Sequence, residues 1–411
     1  MRMKVLQLCN KPPYPPCDGG TMAMNSVTQG LLREGCEVKV LTVETDKHPL
    51  NSAVLPEQYV ADTAIESVYV DLGIKLIPAA FAMLCGESYH VSRYKSDAFA
   101  SKLREILQQQ EFDIVHVESV FLTPYVPLIR KYSKAKIVLR AHNVEHLIWR
   151  RIAVGLPWGL KRWYMKHLSL TLRAYELEHL NDYDGVVCIT RNDADYFRSC
   201  FGVGSVGATF RRPIEVIPFG IEPEEVAVDG VEPASLFHIG AMDWIPNCEG
   251  VDWFLDKVWP IVHERVPSAR LYLAGRKMSS RLMNAQIDGV VVVGEVADAM
   301  HFIGSKQINI VPLLSGSGIR VKIIEAMSMG KAVVSTTVGA QGIEYSNGVN
   351  LLIADTPEQF AKQIERLVND ADYCRRVGEA AARLVAEQYD ESVLSKKLVQ
   401  FYHKLSDNEN E

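Results

Sequence analysis

The chain has 411 residues, 48% of them hydrophobic and 23% charged, with a formal net charge of −6. That length exceeds one ordinary hydrophobic core and implies two domains, while the composition is that of a soluble globular protein. The negative balance supplies no overall basic field, which argues against a nucleic-acid partner.

Eight cysteines lie at 9, 17, 36, 85, 188, 200, 248 and 374 with no CxxC pair. Neither a zinc ribbon nor a disulfide framework is indicated, and reduced cytoplasmic thiols are the simplest reading. The opening MRMKVLQLCN reads as a short strand interrupted by Lys4, not as a signal peptide. No stretch reaches the roughly 20 apolar residues of a membrane span.

Residues 3–9 form the first expected strand. The loop LCNKPPYPPCDGG then carries Gly19 and Gly20 up to a helix expected over 22–34. Glycines before a helix N-terminus, at the carboxyl end of a strand, are where open α/β sheets take ligands. An ordinary proline-rich connection is the plainer alternative, and no G-x-G-x-x-G dinucleotide fingerprint follows. Residues 37–43 give a second strand, 51–86 are irregular with a strand at 68–72, and 99–109 is an amphipathic helix. The strand at 112–117 ends at His116 and Glu118. The strand at 136–141 ends at His142, Asn143, Glu145 and His146. Further strands at 185–190 and 214–218 complete a doubly wound α/β pattern.

Residues 219–235 lose periodicity and gather Pro, Gly and acids, as a linker does. The pattern then restarts. Strands are expected at 236–240, 270–275, 290–293 and 349–354, helices at 251–266, 357–368 and 389–405, and a frayed polar tail at 406–411. The most informative stretch is 308–337, INIVPLLSGSGIRVKIIEAMSMGKAVVSTT. It reads as a buried strand (308–314), a Ser/Gly loop (315–318), a helix (319–329) and a second buried strand (332–335). Gly316 and Gly318 let the backbone approach a ligand. The helix behind them aims amides and a positive dipole end at the same point. Arg320 and Lys322 add charge, and Glu325 sits one turn further in. Donors for phosphates with a carboxylate acceptor for ribose hydroxyls are what a nucleotide diphosphate requires. A surface ion pair between Lys322 and Glu325 is the plainer alternative.

The segment SGSGIRVKIIEAMSMGKAVVST resembles the E-x7-E motif and following EAM-x-x-G-x-P-V-V of the retaining GT-B glycosyltransferases of group 1, family 4. FHIGAMDWIPNCEGVDWF resembles the first strand–loop–helix of that family's C-terminal domain, and VIPFGIE its interdomain V-I-P-N-G-V-D. The resemblance implies an α/β chain of two Rossmann-like doubly wound domains facing each other across a cleft. Residues 1–220 would be the acceptor-side domain and 221–386 the nucleotide-sugar domain, with 387–411 a helix crossing back to the first. Glu325 occupies the second Glu of the motif, the residue that holds the ribose. Ser317 stands where the first Glu is absent, and Ala332 replaces the usual Pro. The loop 241–249 carries no base where the family often has an Arg and a Lys. Lys322, Arg320 and Arg276 are the cations left to meet the diphosphate.

The resemblance also implies roles. Gly19, Gly20, Gly240, Gly316, Ser317, Gly318, Ile319, Arg320, Val321 and Glu325 would bind the donor. His142, Lys322 and Arg276 would be catalytic, and His116, Glu118 and Asn143 would lie on the acceptor side. His142 is alternatively a structural histidine. Asp243, Trp244 and Asn247 are open between sugar contact and, for Asn247, helix capping. HNVEH is not HExxH, so no metal is expected. The co-substrate would be a nucleotide-diphosphate sugar, with no other cofactor and no enzymic nucleophile. The acceptor would be a glycan or a lipid-linked sugar of a cell-surface polysaccharide. Residues 149–173 interleave bases with aromatics and suit an anionic membrane surface, on the inner face of the cell membrane; a solvated helix with inward aromatics is the alternative. Two rival functions remain at this point. One is a nucleotide-sugar epimerase on the same scaffold, and the other, suggested by Ser317, is a non-catalytic nucleotide-sugar-binding subunit.

Overall fold

The computed structural model describes residues 2–51, 54–200, 212–222, 226–227, 230–316 and 318–407. The chain divides into two compact units, one formed by Met1–Gly220 with Glu391–Glu411 and one by Ile221–Asp390.

Among the described residues the first unit contains seven parallel strands: β1 (Lys4–Cys9), β2 (Glu37–Glu44), β3 (Glu66–Tyr69), β4 (Ile114–Val117), β5 (Lys136–Ala141), β6 (Gly185–Cys188) and β7 (Ile214–Val216). They lie in the order β3-β2-β1-β4-β5-β6-β7. Alternate residues of one strand serve opposite faces. Leu6 and Leu8 join Val115, Leu139, Phe99 and Leu103 on one side. Val5 joins Ile114, Val138 and Met24 on the other, together with Leu398, Phe401 and Tyr402 of the C-terminal helix Glu391–Asp407. That helix packs tightly on the helix Gly19–Arg33: a Cβ built on Gly30 would strike the Ser395 hydroxyl.

Among the described residues the second unit contains six parallel strands: β8 (Ser235–Ile239), β9 (Arg270–Ala274), β10 (Val290–Gly294), β11 (Ile308–Val311), β12 (Ala332–Ser335) and β13 (Leu352–Ile353). Their order is β10-β9-β8-β11-β12-β13. Every residue of β11 and β12 is buried, because helices cover both faces of such a sheet. In each unit the strand order reverses once, between β1 and β4 and between β8 and β11. Loops leaving the carboxyl ends of the strands at such a reversal part to opposite faces and open a crevice.

Several elements differ from the sequence expectations. The first helix begins at Gly19, not at 22, because Asp18 caps it. Residues 51–86 hold two helices, Glu57–Thr63 and Leu76–Cys85, with β3 between them. Leu76–Cys85 (LIPAAFAMLC) carries no helical period because it is apolar on all sides. The helix expected at 251–266 starts at Ile245 and passes through a π-turn, Phe254–Val258, before Trp259–Arg265. Pro260, which has no N–H to give, follows that turn. The helix expected over 319–329 is Val321–Ser328. The last strand shrinks to Leu352–Ile353, and the final helix is Glu391–Asp407, two residues later than expected. The linker expected at 219–235 lies partly outside the described residues, and its last residue, Ser235, already belongs to β8. Of the expected tail, 408–411 lie outside the described residues. No helix among the described residues is long and apolar enough to cross a membrane.

Candidate functional site

In the second unit the loops after β8 and β11 leave the sheet on either side of the reversal, and the residues of interest gather there. Gly316 and Gly318 have φ of +121° and +82°, conformations open to glycine and strained for other residues. A Cβ on Gly316 would meet the Arg320 guanidinium at 2.6 Å and the Trp244 ring at 3.3 Å. The Arg320 guanidinium lies 5.2 Å over that ring, and its Nη1 donates to the Gly318 carbonyl at 3.0 Å. Burial pushes Arg320 down to about 10. Ile319 and Val321 are partly buried, Val321 being the first helical residue. Arg320, at the N-cap of the helix Val321–Ser328, gives it no side-chain cap. The Ile323 amide donates to the Arg320 carbonyl at 2.9 Å, and no side chain among the described residues caps the dipole end of that helix. Ser317 lies outside the described residues.

Lys322 does not project to solvent beside Glu325. Its ammonium turns inward to donate to Asn247 Oδ1 at 2.8 Å and reaches His238 Nε2 at 3.3 Å. His238 Nδ1 faces the Ile310 carbonyl at 2.9 Å. A carbonyl only accepts, so Nδ1 carries the hydrogen and Nε2 presents its lone pair to the lysine. Burial, with Lys322 beside it, pushes His238 down to about 3, so it stays neutral. Burial and the nearby Arg320 push Lys322 down to about 7, while Glu325 works in the opposite direction. The same ammonium abuts Gly240: a Cβ there would lie 2.8 Å from Lys322 Nζ and 2.7 Å from Asn247 Nδ2. The loop after β8 carries no base of its own, and Lys322 reaches its first residue from the neighbouring helix. Asn247 also donates to the Ala241 carbonyl at 2.8 Å. It therefore holds the loop and the lysine, while Trp244 occupies the N-cap position of Ile245–Trp253. Asp243 pairs with Lys277 at 2.7 Å. Arg276 is exposed just past β9, and its carbonyl accepts from the Met242 amide. Glu325 is partly buried one turn into the helix.

The first unit treats its glycine pair differently. Gly19 and Gly20 lie inside the helix, and Asp18 accepts from the amides of Gly20 and Thr21 at 2.9 Å each. Lys11 Nζ sits 2.7 Å from the same carboxylate. An acid of the chain itself already caps this N-terminus, so Gly19 and Gly20, expected to bind the donor, stand in a capped helix start.

His116 and Glu118, expected on the acceptor side, have no exposed surface. They stand behind His142 instead. Glu118 Oε2 lies 2.8 Å from His142 Nε2, and its Oε1 accepts from Gln7 Nε2 at 2.7 Å. Tyr402 of the C-terminal helix meets His116 Nδ1 at 2.7 Å. Burial alone would raise the Glu118 carboxyl. His116 and Arg140, with the hydrogen bonds it accepts, more than offset this and hold it well below the usual carboxylate range. Burial lowers His142 below the ordinary histidine value, although Glu118 pulls the other way. Asn143 is engaged with the Glu145 carboxyl, which burial and the neighbouring Glu176 push up to about 8. His146 is buried between Glu176 Oε2 at 2.5 Å and Tyr196 Oη at 2.7 Å. Gln7, His238 and Tyr402 had no local sequence signal, since each partner is far away along the chain.

Comparison with known proteins bears on the family and the fold. Residues 18–225 match the profile of Glycosyltransferase Family 4, and residues 233–370 that of Glycosyl transferases group 1. A 44.6 kDa protein in the cps region of Klebsiella pneumoniae is 23% identical over 397 residues, covering 94% of this chain and 96% of that one. Among solved structures, sucrose-phosphate synthase from Thermosynechococcus elongatus has a TM-score of 0.65 at 15% identity, covering 98% of this chain and 99% of that one. Anabaena HepE in complex with UDP has a TM-score of 0.66 at 13% identity, covering 98% and 100%. TarM has a TM-score of 0.65 at 11% identity, covering 98% and 99%. Two doubly wound parallel-sheet units with these matches make the fold GT-B, and the chain belongs to the group 1, family 4 glycosyltransferases.

Proposed function

We propose that this glycosyltransferase moves a hexosyl group from a nucleotide-diphosphate sugar to a glycan or lipid-linked acceptor, with retention at the anomeric carbon and with no metal or other cofactor. The observation that carries the reading is the Lys322 ammonium, held by Asn247 and His238 against Gly240, at an uncapped helix start beside two positive-φ glycines. A pyrophosphate placed there meets cations and amides, and Glu325 accepts from the ribose hydroxyls. The bond from the anomeric carbon to the phosphate oxygen breaks, and the bond to the acceptor oxygen forms on the same face. The acceptor proton passes to the departing phosphate. Charge grows on that phosphate, so Lys322, Arg320, Arg276 and the helix dipole lower the barrier without an enzymic nucleophile. HepE was solved with UDP, and the Klebsiella relative comes from a cps region; both fit a nucleotide-sugar donor and polysaccharide synthesis.

The experiment is turnover over a panel of nucleotide sugars with crude glycan and lipid acceptors, followed by mass spectrometry. Acceptor-dependent gain of one sugar, lost in Lys322→Ala and Glu325→Ala, is the expected result. Product formed without acceptor would indicate an epimerase instead. Nucleotide binding with no turnover for any donor would indicate a binding subunit.

The proposal includes an anionic membrane surface at the inner face of the cell membrane. Between His146 and Glu176 there is no acid, while Arg150, Arg151, Lys161, Arg162, Lys166 and Arg173 are basic. Trp158, Leu160 and Trp163 are exposed where the helices Glu145–Gly155 and Leu160–Glu178 meet. The helix Leu76–Cys85 adds Ile77, Phe81 and Leu84, all exposed on one stripe, with Ala79 and Ala82 packed on Tyr89 and Leu168 behind. Apolar side chains flanked by bases fit an interfacial surface better than a solvated one.

A further inference from the structure

The buried carboxylate of Glu118 sits at the order reversal of the first sheet, just beyond β4. It has 0% exposure. Gln7 fixes one side of it. The Gln7 carbonyl oxygen accepts from the Thr28 hydroxyl at 2.7 Å, and its Nε2 donates to the Met24 carbonyl at 3.1 Å and to Glu118 Oε1 at 2.7 Å. His116 Nε2 lies 3.3 Å from Oε1, with the Tyr402 hydroxyl 2.7 Å from its other nitrogen. The Arg140 guanidinium, which donates to the Ala23 carbonyl at 2.7 Å, lies 3.7 Å from Oε2. Gln7 thus donates to a group that only accepts, while His116 and Arg140 stand close to it without a hydrogen bond. His142 Nε2, 2.8 Å from Oε2 and partly exposed, is where the network reaches the surface.

A buried ion held by charged and polar partners is costly, and packed apolar residues would serve stability as well or better. A network of this kind earns its place through geometry. An ionised carboxylate cannot donate, so the hydrogen at its contact with His142 belongs to Nε2. The neutral imidazole then has one lone pair left, on Nδ1.

We propose that Glu118 is a positioning residue for His142. It locks the ring in the Nε2–H tautomer so that Nδ1 is left to accept a hydroxyl hydrogen from a sugar, and Tyr402 of the C-terminal helix, through His116, braces the carboxylate. The proposal rests on the glycosyl-transfer reading for what Nδ1 accepts, but not for the tautomer.

Two measurements on the full chain separate these parts. The first is nitrogen-15 NMR of histidine-labelled wild type, without substrate. It is expected to show His142 neutral and protonated on Nε2 at pH 7.5; an Nδ1–H tautomer or a charged ring overturns the proposal, whatever the enzyme does. The second is a kinetic cycle of Glu118→Gln, His142→Ala and the double variant, with fold monitored by circular dichroism. Glu118→Gln is expected to lower kcat roughly 100-fold with donor KM within threefold, and to add nothing in the His142→Ala background. Equal losses in both backgrounds, or kcat within twofold of wild type, would overturn it. Should Glu118→Gln fail to fold, Tyr402→Phe replaces it in the same cycle, with a smaller kcat loss that again disappears when His142 is Ala. Absence of any turnover in wild type would defeat the functional reading and leave the NMR result standing.

Discussion

Lys322 Nζ lies 2.8 Å from Asn247 Oδ1 across a separation of 75 positions. The asparagine stands in the first turn of Ile245–Trp253, behind a loop without a base, and the lysine in the helix after another strand, and together they place a cation where the loop lacks one. Asn247→Ala removes one of the two anchors of that cation and leaves the charge. A hydrogen bond to a charged group is worth about 1.5–3 kcal/mol, so kcat/KM for the donor should fall roughly 10- to 100-fold. Lys322→Ala should cost more, about 2–4 kcal/mol of transition-state stabilisation. Steady-state kinetics on the two variants checks the order.

The depressed Lys322 makes stability depend on pH in a defined direction. In the folded chain this ammonium gives up its proton near pH 7, and in the unfolded chain near 10.4. Between those values the unfolded chain binds more protons, so stability rises with pH across the window. Below pH 7 the full cost of burying the ammonium is carried. Lys322→Met should therefore raise Tm relative to wild type most at pH 6, and the gain should shrink toward pH 10. Thermal melts of both proteins over that range would reveal it.

Gly275 has φ of +145°, and a Cβ on it would run into the Gly240 carbonyl. Gly275→Ala forces β9 and the start of the donor loop apart. It should destabilise by about 1–3 kcal/mol and weaken donor binding by displacing Gly240 from Lys322. Denaturant titration together with nucleotide titration tests both effects.

The apolar stripe of Leu76–Cys85 and the tip at Trp158 predict lipid binding. Flotation with vesicles containing anionic phospholipid should recover the wild type. Recovery should fall in zwitterionic vesicles, and in Phe81→Ser with Trp158→Ser on anionic ones. Equal recovery on both vesicle types would reject the surface.

What the sequence made legible was the part governed by local pattern. The buried runs of β11 and β12, with glycines between them, are visible because a covered parallel strand is apolar throughout. Lys322 and Glu325 were legible as residues, but the inward turn of Lys322 was not, since helical spacing alone pairs it with Glu325. Asp18 and Thr21 spell a capping box, which starts the helix at Gly19. Leu76–Cys85 lacks the period by which helices are read. Glu118 with Gln7, 111 positions apart, and His116 with Tyr402, 286 apart, depend on sheet order and helix packing that no local window contains.

Two helix starts compete for the role of diphosphate cradle, one capped by Asp18 and one left without a side-chain cap at Arg320. Isothermal titration of a nucleoside diphosphate panel into wild type, Lys322→Ala, Glu325→Ala and Asp18→Ala distinguishes them. The account predicts that one diphosphate binds wild type, that Lys322→Ala and Glu325→Ala each weaken it roughly tenfold or more, and that Asp18→Ala leaves affinity unchanged. Unchanged affinity in both Lys322→Ala and Glu325→Ala, or loss in Asp18→Ala alone, would contradict it.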